Sequence, residues 1–346
     1  MRILYGVQAT GNGHITRART MAPEFVKQGI EVDFLFSGRD RTALFDMDAF
    51  GDYLVRRGLT FAHRAGRLQY AKTVLRNNLW QFYKDYRNLD LSAYDLVLTD
   101  FEPVSAWAAR RQHKFCIGIA HQYAFYYPVP KQGENAIANM LMRHFAPVNL
   151  AIGVHWHHFN SPILPPLIAP NKYRPSVKNG RLLVYLPFEE TAEVRHWLRH
   201  FDPYQFIIYT ECDQEQQDAN LHLKPVNRDG FLKDLAQCDG VICNAGFGLC
   251  SEAMQYGKKL LIKPLQGQME QLSNALAAAR LHLADVIDVF ENQTLTRWLK
   301  KNNPEPIIFP NVASSLIHWL KSDRKRNVNE LAQSLWNQVV GAPFLS

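Results

Sequence analysis

Apolar and polar positions follow the same order twice along the chain. Residues 2–9 (RILYGVQA) form an apolar run suited to a strand buried on both faces. A tight glycine loop follows, Gly11-Asn12-Gly13-His14, and then Ile15, Ala18, Ala22, Phe25 and Val26 recur at helical spacing. Gly29 stands where a left-handed residue would end that helix, and 30–36 reads as the next strand. Strand, helix and strand in this order predict a parallel sheet, which 95–99 (DLVLT) and 115–120 (FCIGIA) extend. The pattern breaks at 160–176, where Asn160-Ser161-Pro162, Pro165-Pro166 and Pro170-Asn171 predict a linker. It then resumes, with strands at 181–186, 205–210, 240–243 and 259–264 and helices at 189–200 and 249–256. The tail from 312 is helical, and its last helix, 328–340, is predicted to cross back onto the first half. The fold class is therefore α/β, with two doubly wound domains in tandem. The first covers 1–162 with the return of 328–346, and the second covers 172–327.

Composition and charge narrow the setting. The chain has 346 residues, 47% hydrophobic and 21% charged, an ordinary globular balance that excludes a disordered or collagen-like chain. Five cysteines, without a Cys-x-x-Cys pair, fit reduced thiols better than a disulfide framework or a zinc site. The first residues are too short an apolar run for a secretory signal, and no stretch reaches the roughly 18 apolar residues of a membrane span. The expectation is a cytoplasmic protein, at most peripheral at the inner face of a membrane. The net charge is +7; residues 1–170 hold 19 basic and 13 acidic side chains, the remainder 20 and 19. Much of the excess lies in 56–87, where eight basic residues face only Asp85 and alternate with Tyr70, Trp80, Phe82, Tyr83 and Tyr86. This segment reads either as a solvated helix face or as a surface for anionic lipid headgroups or an anionic acceptor. No nucleic-acid motif is present, so no nucleic-acid partner is expected.

The stretch 238–275 (CDGVICNAGFGLCSEAMQYGKKLLIKPLQGQMEQLSNA) carries the chemistry. A strand ends at Asn244, and Gly246, Phe247 and Gly248 lead into a short helix that Gly257 stops. Glycines let the backbone turn and approach a ligand closely, and the free N–H groups of the helix start suit a pyrophosphate. Glu252, one turn in, would repel phosphate but can accept two hydrogen bonds from a ribose diol. Gln266, Gln268, Glu270 and Gln271 after the next strand suit sugar hydroxyls. Together Gly246, Glu252, Gly257, Pro264 and Glu270-Gln271-Leu272-Ser273-Asn274-Ala275 resemble the donor signature of inverting GT-B glycosyltransferases, such as the plant UDP-glycosyltransferases and the bacterial lipid I N-acetylglucosaminyltransferase. The resemblance implies two Rossmann-like domains facing a cleft. It implies a nucleotide-sugar co-substrate, a UDP-sugar being commonest there, and no separate cofactor or metal. Glu252 would hold the ribose, Gly246–Gly248 the diphosphate, and Glu270 and Gln271 the sugar, with Gln268 beside them. Asn244 stands where the plant enzymes carry a histidine and can donate without charge.

In the same families a histidine near the first glycine loop is the general base, oriented by an aspartate about 100 residues later. His14 and Asp100 match, with Gly11, Asn12 and Gly13 as the loop facing acceptor and phosphates. Imidazole ionises near neutrality and a carboxylate fixes its tautomer. Glu102 and His121 also follow strand ends and are reserve candidates. His155, His157 and His158 lack a carboxylate or cysteine at ligand spacing and read as packing or surface residues. The implied activity is inverting transfer of a sugar to an acceptor hydroxyl, on a glycan or lipid-linked acceptor. A nucleotide-sugar 2-epimerase of the same architecture and a non-catalytic nucleotide-sugar-binding protein stay open. A dehydrogenase would need a third glycine where Thr16 stands.

Overall fold

The computed structural model describes residues 1–60, 63–64, 67–68, 78–134, 136–170, 172–322 and 327–343. The first sheet contains β1 (Arg2–Gln8), β2 (Glu31–Ser37), β3 (Leu54–Arg56), β4 (Leu96–Asp100), β5 (Cys116–Ala120) and β6 (Leu150–Gly153). All its pairings are parallel, in the order β3-β2-β1-β4-β5-β6. The second sheet contains β7 (Arg181–Tyr185), β8 (Gln205–Thr210), β9 (Gln216–Asp218), β10 (Leu221–Pro225), β11 (Gly240–Asn244), β12 (Lys259–Lys263) and β13 (Asp285–Val286). Its order is β9-β10-β8-β7-β11-β12-β13, with β9 as an antiparallel edge and the rest parallel. Each sheet reverses its winding once, between β1 and β4 and between β7 and β11. Such switch points open a crevice at the carboxyl ends of the strands, where ligands bind in doubly wound folds.

The helices follow from the same patterns. In α1 (Asn12–Lys27) Ile15, Ala18, Ala22 and Phe25 are buried on the sheet. Val26, expected on that face, is 77% exposed, because 100° per residue carries it past the apolar stripe. Gly29 adopts φ +66° and donates to the Val26 carbonyl, while Ile30 donates to Phe25, a Schellman ending. The predicted tight loop at 11–14 is different: the helix begins at Asn12, so His14 sits in its first turn. Further helices are α2 (Leu79–Arg87), α3 (Pro103–Arg111), α4 (Ala136–His144), α5 (Thr191–Leu198), α6 (Arg228–Gln237), α7 (Phe247–Gln255), α8 (Met269–Arg280), α9 (Asn292–Leu299), α10 (Val312–Lys321) and α11 (Val328–Trp336).

The linker is packed rather than loose. Trp156, Ile163 and Leu164 are fully buried, and Leu164 pairs with Gly153 and His155 along the edge of the first sheet. Asn171 lies outside the described residues. The tail returns to the first domain earlier than 328: Gln28 Nε2 donates to the Ser314 carbonyl at 3.0 Å and Lys321 Nζ to the Gln28 carbonyl at 2.7 Å, which fastens α10 to α1. Helix α11 packs against the linker, with Trp336 Nε1 donating to the Ile163 carbonyl at 2.7 Å. One buried apolar cluster runs through both halves, from Ile3 and Tyr5 through Trp156 and Phe247 to Leu316 and Trp336.

Candidate active site

Register places the first half of the site. Val7 of β1 pairs with Asp100 of β4, so the carboxylate emerges beside the start of α1. Asp100 is fully buried, and its Oδ1 lies 2.6 Å from His14 Nδ1. Arg17, one turn beyond His14 on the same helix face, donates from Nε to Oδ2 and from Nη2 to Oδ1, each at 2.6 Å. Burial opposes ionisation of Asp100, but the Arg17 guanidinium and His14 outweigh it and hold the carboxyl below its usual range. An ionised Asp100 accepts the proton of His14 Nδ1, which leaves the Nε2 lone pair for the cleft. Phe101, the next residue, has φ +54°, a strained value for a bulky side chain that turns the chain sharply out of β4. Glu102 then caps α3, accepting from Val104 N at 2.7 Å and Ser105 N at 2.6 Å, and burial raises its carboxyl. The reserve acid is thus a helix cap, and Asp100 is free of that role.

The second half faces it. Helices α1 and α7 begin at Gly11 and Gly246 and neither has a side-chain cap, whereas Asn78, Glu102, Asn227, Asn311 and Asn327 cap other helices. The first-turn N–H groups of both therefore remain as anion donors at the cleft. The glycines Gly11, Gly13, Gly246 and Gly248 do not need left-handed backbone, since none has a positive φ. Their reason is space: a Cβ at Gly11, Gly13 or Gly246 would meet nothing within 4 Å, and one at Gly248 would lie 3.9 Å from the Gly13 backbone across the cleft. Between these loops lies a cavity of about 440 Å³, within the range of small-molecule sites.

The remaining expected residues are placed as follows. Glu252 lines the cavity, and burial raises its carboxyl to about 7 against the opposing charge of Arg228. Glu270, in the first turn of α8, accepts from Gln122 Nε2 at 2.9 Å. Gln271 lines the cavity too, but its Oε1 accepts from Leu265 N at 2.8 Å and so braces the turn before α8. Gln268 lines it as well, with a buried Oε1 that has no partner. Gln266 lies outside the lining and faces Asp288. Asn244 is buried, and its amide N–H groups go to the Lys263 carbonyl and Glu189 rather than to the cavity. Asn12 Oδ1 accepts from Arg39 Nη1 at 3.0 Å, and Arg39 Nη2 donates to the Thr10 carbonyl, which braces the first loop.

Phe247 points into the seam between the domains. It stacks on His121 at 4.0 Å and 8° and on Trp156 at 5.2 Å. His121, the other reserve base, is fully buried there, its ring nitrogens 2.8 Å from the Val154 carbonyl and 2.6 Å from Asn274 Oδ1; burial lowers its pKa. Trp156 Nε1 donates to Ser251 Oγ at 2.8 Å across the same seam. His155, His157 and His158 each accept a local backbone N–H on Nδ1, and His157 and His158 pack against Trp336. Among the described residues no three His, Cys, Asp or Glu side chains converge as a metal centre.

The sequence reading missed Arg17, Gln122 and Arg228. Arg17 carried a usable signal, its i+3 spacing from His14. Gln122 directly follows His121, so the strand-end signal that singled out His121 applied to it as well; Arg228 carried none, since it reaches the site only through the packing of the two domains. Apolar side chains, Phe101, Met142 and Phe145, line the first-domain side of the cavity.

Comparison with known proteins agrees with this geometry. The model of the family described as glycosyl transferase family 1 matches residues 1–302. No curated protein sequence is similar enough to count as a match. Among solved structures, Arabidopsis thaliana UGT89C1 complexed with UDP is 14% identical, with a TM-score of 0.57, covering 97% of this chain and 99% of that one. The Streptomyces sp. SF2575 glycosyltransferase SsfS6, complexed with thymidine diphosphate, is 12% identical, with a TM-score of 0.57 and coverages of 97% and 94%. MurG from Acinetobacter baumannii is 17% identical, with a TM-score of 0.53 and coverages of 97% and 94%. At these identities the likeness establishes the fold, which is that of GT-B glycosyltransferases.

Proposed function

The chain belongs to glycosyl transferase family 1, and from that premise we propose that it transfers a sugar from a UDP-sugar to an acceptor hydroxyl with inversion at the anomeric carbon. The observation that carries the reading is the 2.6 Å contact between His14 and a buried Asp100, in a cleft whose opposite wall is the uncapped start of α7. His14 Nε2 takes the acceptor proton, the acceptor oxygen attacks the anomeric carbon, and the bond to the β-phosphate oxygen breaks as the diphosphate leaves. Asp100 fixes the tautomer and stabilises the imidazolium that forms. The N–H groups and dipole of α7, opposed by those of α1, take up the leaving charge without a metal between the phosphates. Glu252 accepts the ribose diol, Glu270 and Gln268 meet sugar hydroxyls, and Gln271 keeps the turn beside them in shape. The solved relatives with UDP and thymidine diphosphate support a pyrimidine nucleoside diphosphate.

The apolar wall of Phe101, Met142 and Phe145 suits a lipid-linked or otherwise apolar-flanked acceptor glycan. The basic segment 56–87 would bring the protein to an anionic membrane that displays such an acceptor. Part of it lies outside the described residues, including Tyr70, Lys72 and Arg76. Its described end, α2, exposes Leu79 and Trp80, with Lys84 over the Trp80 ring at 5.2 Å.

Calorimetric titration with UDP, thymidine diphosphate and their sugars tests the reading. A nucleoside diphosphate should bind, and Glu252→Ala should weaken it at least tenfold. His14→Ala should leave that binding intact and lower transfer by about 10²–10⁴-fold. No binding across the panel removes the transferase reading, and conversion of a donor to its 2-epimer without acceptor replaces it.

A further inference from the structure

The transfer described above leaves Gln122 without a part, yet its position is specific. It lies in the 3-10 turn His121–Tyr126 that follows β5 and is 5% exposed. Its amide nitrogen donates to Glu270 Oε2 at 2.9 Å and stands 3.5 Å from His14 Nε2. Its carbonyl Oε1 is buried and has no hydrogen-bond partner among the described residues. One NH₂ group, with two hydrogens to give, thus spans the carboxylate assigned to the donor sugar and the lone pair assigned to the base. The two ends belong to different domains.

The two contacts differ in strength. The first is charge-assisted and short; the second is at the outer limit of a hydrogen bond and weak. Glu270 therefore decides where Gln122 stands, and His14 feels the result. A sugar hydroxyl donating to Glu270 competes for the oxygen that Gln122 now holds. Once displaced, the amide can turn, because a hydroxyl of donor or acceptor can then satisfy the stranded Oε1, whose lack of a partner is unfavourable in a buried site.

We propose that Gln122 is a positioning residue that ties the base to donor occupancy. In the empty cleft it stays on Glu270 and covers His14 Nε2. A sugar on Glu270 releases it and uncovers Nε2 for the acceptor hydroxyl, so the base becomes available only after the donor is in place. The inference rests on the transferase reading, and UDP alone, which has no sugar to reach Glu270, should not trigger the change.

Nitrogen-15 NMR of the His14 ring reads this directly, with UDP, UDP-glucose and UDP-N-acetylglucosamine as probes. In the wild type a UDP-sugar that binds should move the Nε2 resonance beyond the shift that the diphosphate of UDP itself produces. In Gln122→Met, which keeps length and volume but has no donor, the sugar-dependent shift should be lost, and the free protein should already resemble the sugar-bound wild type. Calorimetry adds a second readout. Because the sugar no longer has to displace an amide from Glu270, the preference for UDP-sugar over UDP should rise about three- to tenfold. UDP affinity itself should be unchanged, which shows that the variant is folded. If it is not, Glu270→Leu removes the acceptor that holds the amide, from the other domain, and should uncover Nε2 without ligand. A sugar-dependent shift of undiminished size in Gln122→Met overturns the proposal and leaves the transferase reading standing. Failure of every UDP compound to bind the wild type overturns both.

Discussion

Glu252 sits one turn inside α7, where surrounding protein displaces water and raises its carboxyl to about 7. In the proposed role the ribose diol donates to the carboxylate, so a bound donor would favour the ionised form, and binding near pH 6 would first expel a proton. UDP-sugar affinity should therefore be about tenfold weaker at pH 6 than at pH 8, with a proton released on binding at the lower pH. Glu252→Gln should flatten this profile. The folded pKa is raised above the unfolded value of 4.5, so the folded state holds this proton more tightly, and stability falls as pH rises from about 4.5 to about 7. The amide variant should accordingly be the more stable protein at pH 8 while binding donor less well. Calorimetry in two buffers of different ionisation heat, paired with thermal melts, checks both signs; an unchanged wild-type affinity between pH 6 and 8 refutes the ribose role. At this scale the place of Glu252, one turn past the glycine start of α7, was legible from the sequence. Arg17 was missed although its i+3 spacing put it on the His14 face, because a basic residue on an amphipathic helix reads as solvent-facing and its burial is set by Asp100, 83 residues away.

Strand ends and helix starts decide the next scale. The positions of β1, β4, β7, β11 and β12 were legible because a strand buried on both faces must be apolar throughout. The strands β3 (LVR) and β9 (QQD) were not, since edge strands are short and mix polarity, and neither was β10 (LHLKP), an inner strand whose His222, Lys224 and Pro225 hide it. The start of α1 was read as loop because glycines discourage helix, although here Gly13 is the second residue of the helix. That placement has a consequence with opposed signs. A Cβ at Gly13 meets no protein atom, and its backbone is helical, so Gly13→Ala should stabilise the fold by about 0.5–1 kcal/mol. Melting should rise by about 1–3 °C. The same methyl would stand in the gap between the two bare helix starts, where the diphosphate is proposed to lie, and should weaken UDP binding about tenfold or more. A stabilised variant with unaltered UDP affinity would mean that the facing glycines do not enclose the ligand. Helix propensity alone cannot explain why glycine stands there; the space it leaves can.

Across the whole molecule, the two domains meet along a buried seam and a wet cleft. The seam contains the His121–Phe247–Trp156 stack and the Asn274 bond to His121, and well-packed contacts of this kind resist opening. At the surface, Asp46 of the first domain lies 3.5 Å from Arg228 of the second, an exposed pair of the kind worth about 0–1 kcal/mol. Motion that admits a ligand should open at that rim and pivot on the seam, with the linker a packed part of the first sheet rather than a free hinge. Two-domain architecture was legible from the repeated pattern; the seam was not, because it joins residues more than 100 apart that carry no shared period. Charge placement adds the last argument at this scale. The basic excess belongs to residues 1–170, the half that bears the wall proposed to meet the acceptor, and the described helices include none long and apolar enough to cross a membrane. Leu79 (66% exposed) and Trp80 (64%) lie beside Lys84 and Arg87, so the proposed attraction to anionic headgroups and shallow insertion would act from one helix. The protein should sediment with vesicles containing about 30% anionic lipid and not with neutral ones, and release should follow when salt shortens the Debye length to about 3 Å at 1 M. Leu79→Ala with Trp80→Ala should cut vesicle binding severalfold and leave UDP affinity and melting unaltered, since both side chains are largely in solvent. Equal binding to neutral and anionic vesicles, or none to either, would return α2 to a solvated helix face and leave the acceptor to be met in solution.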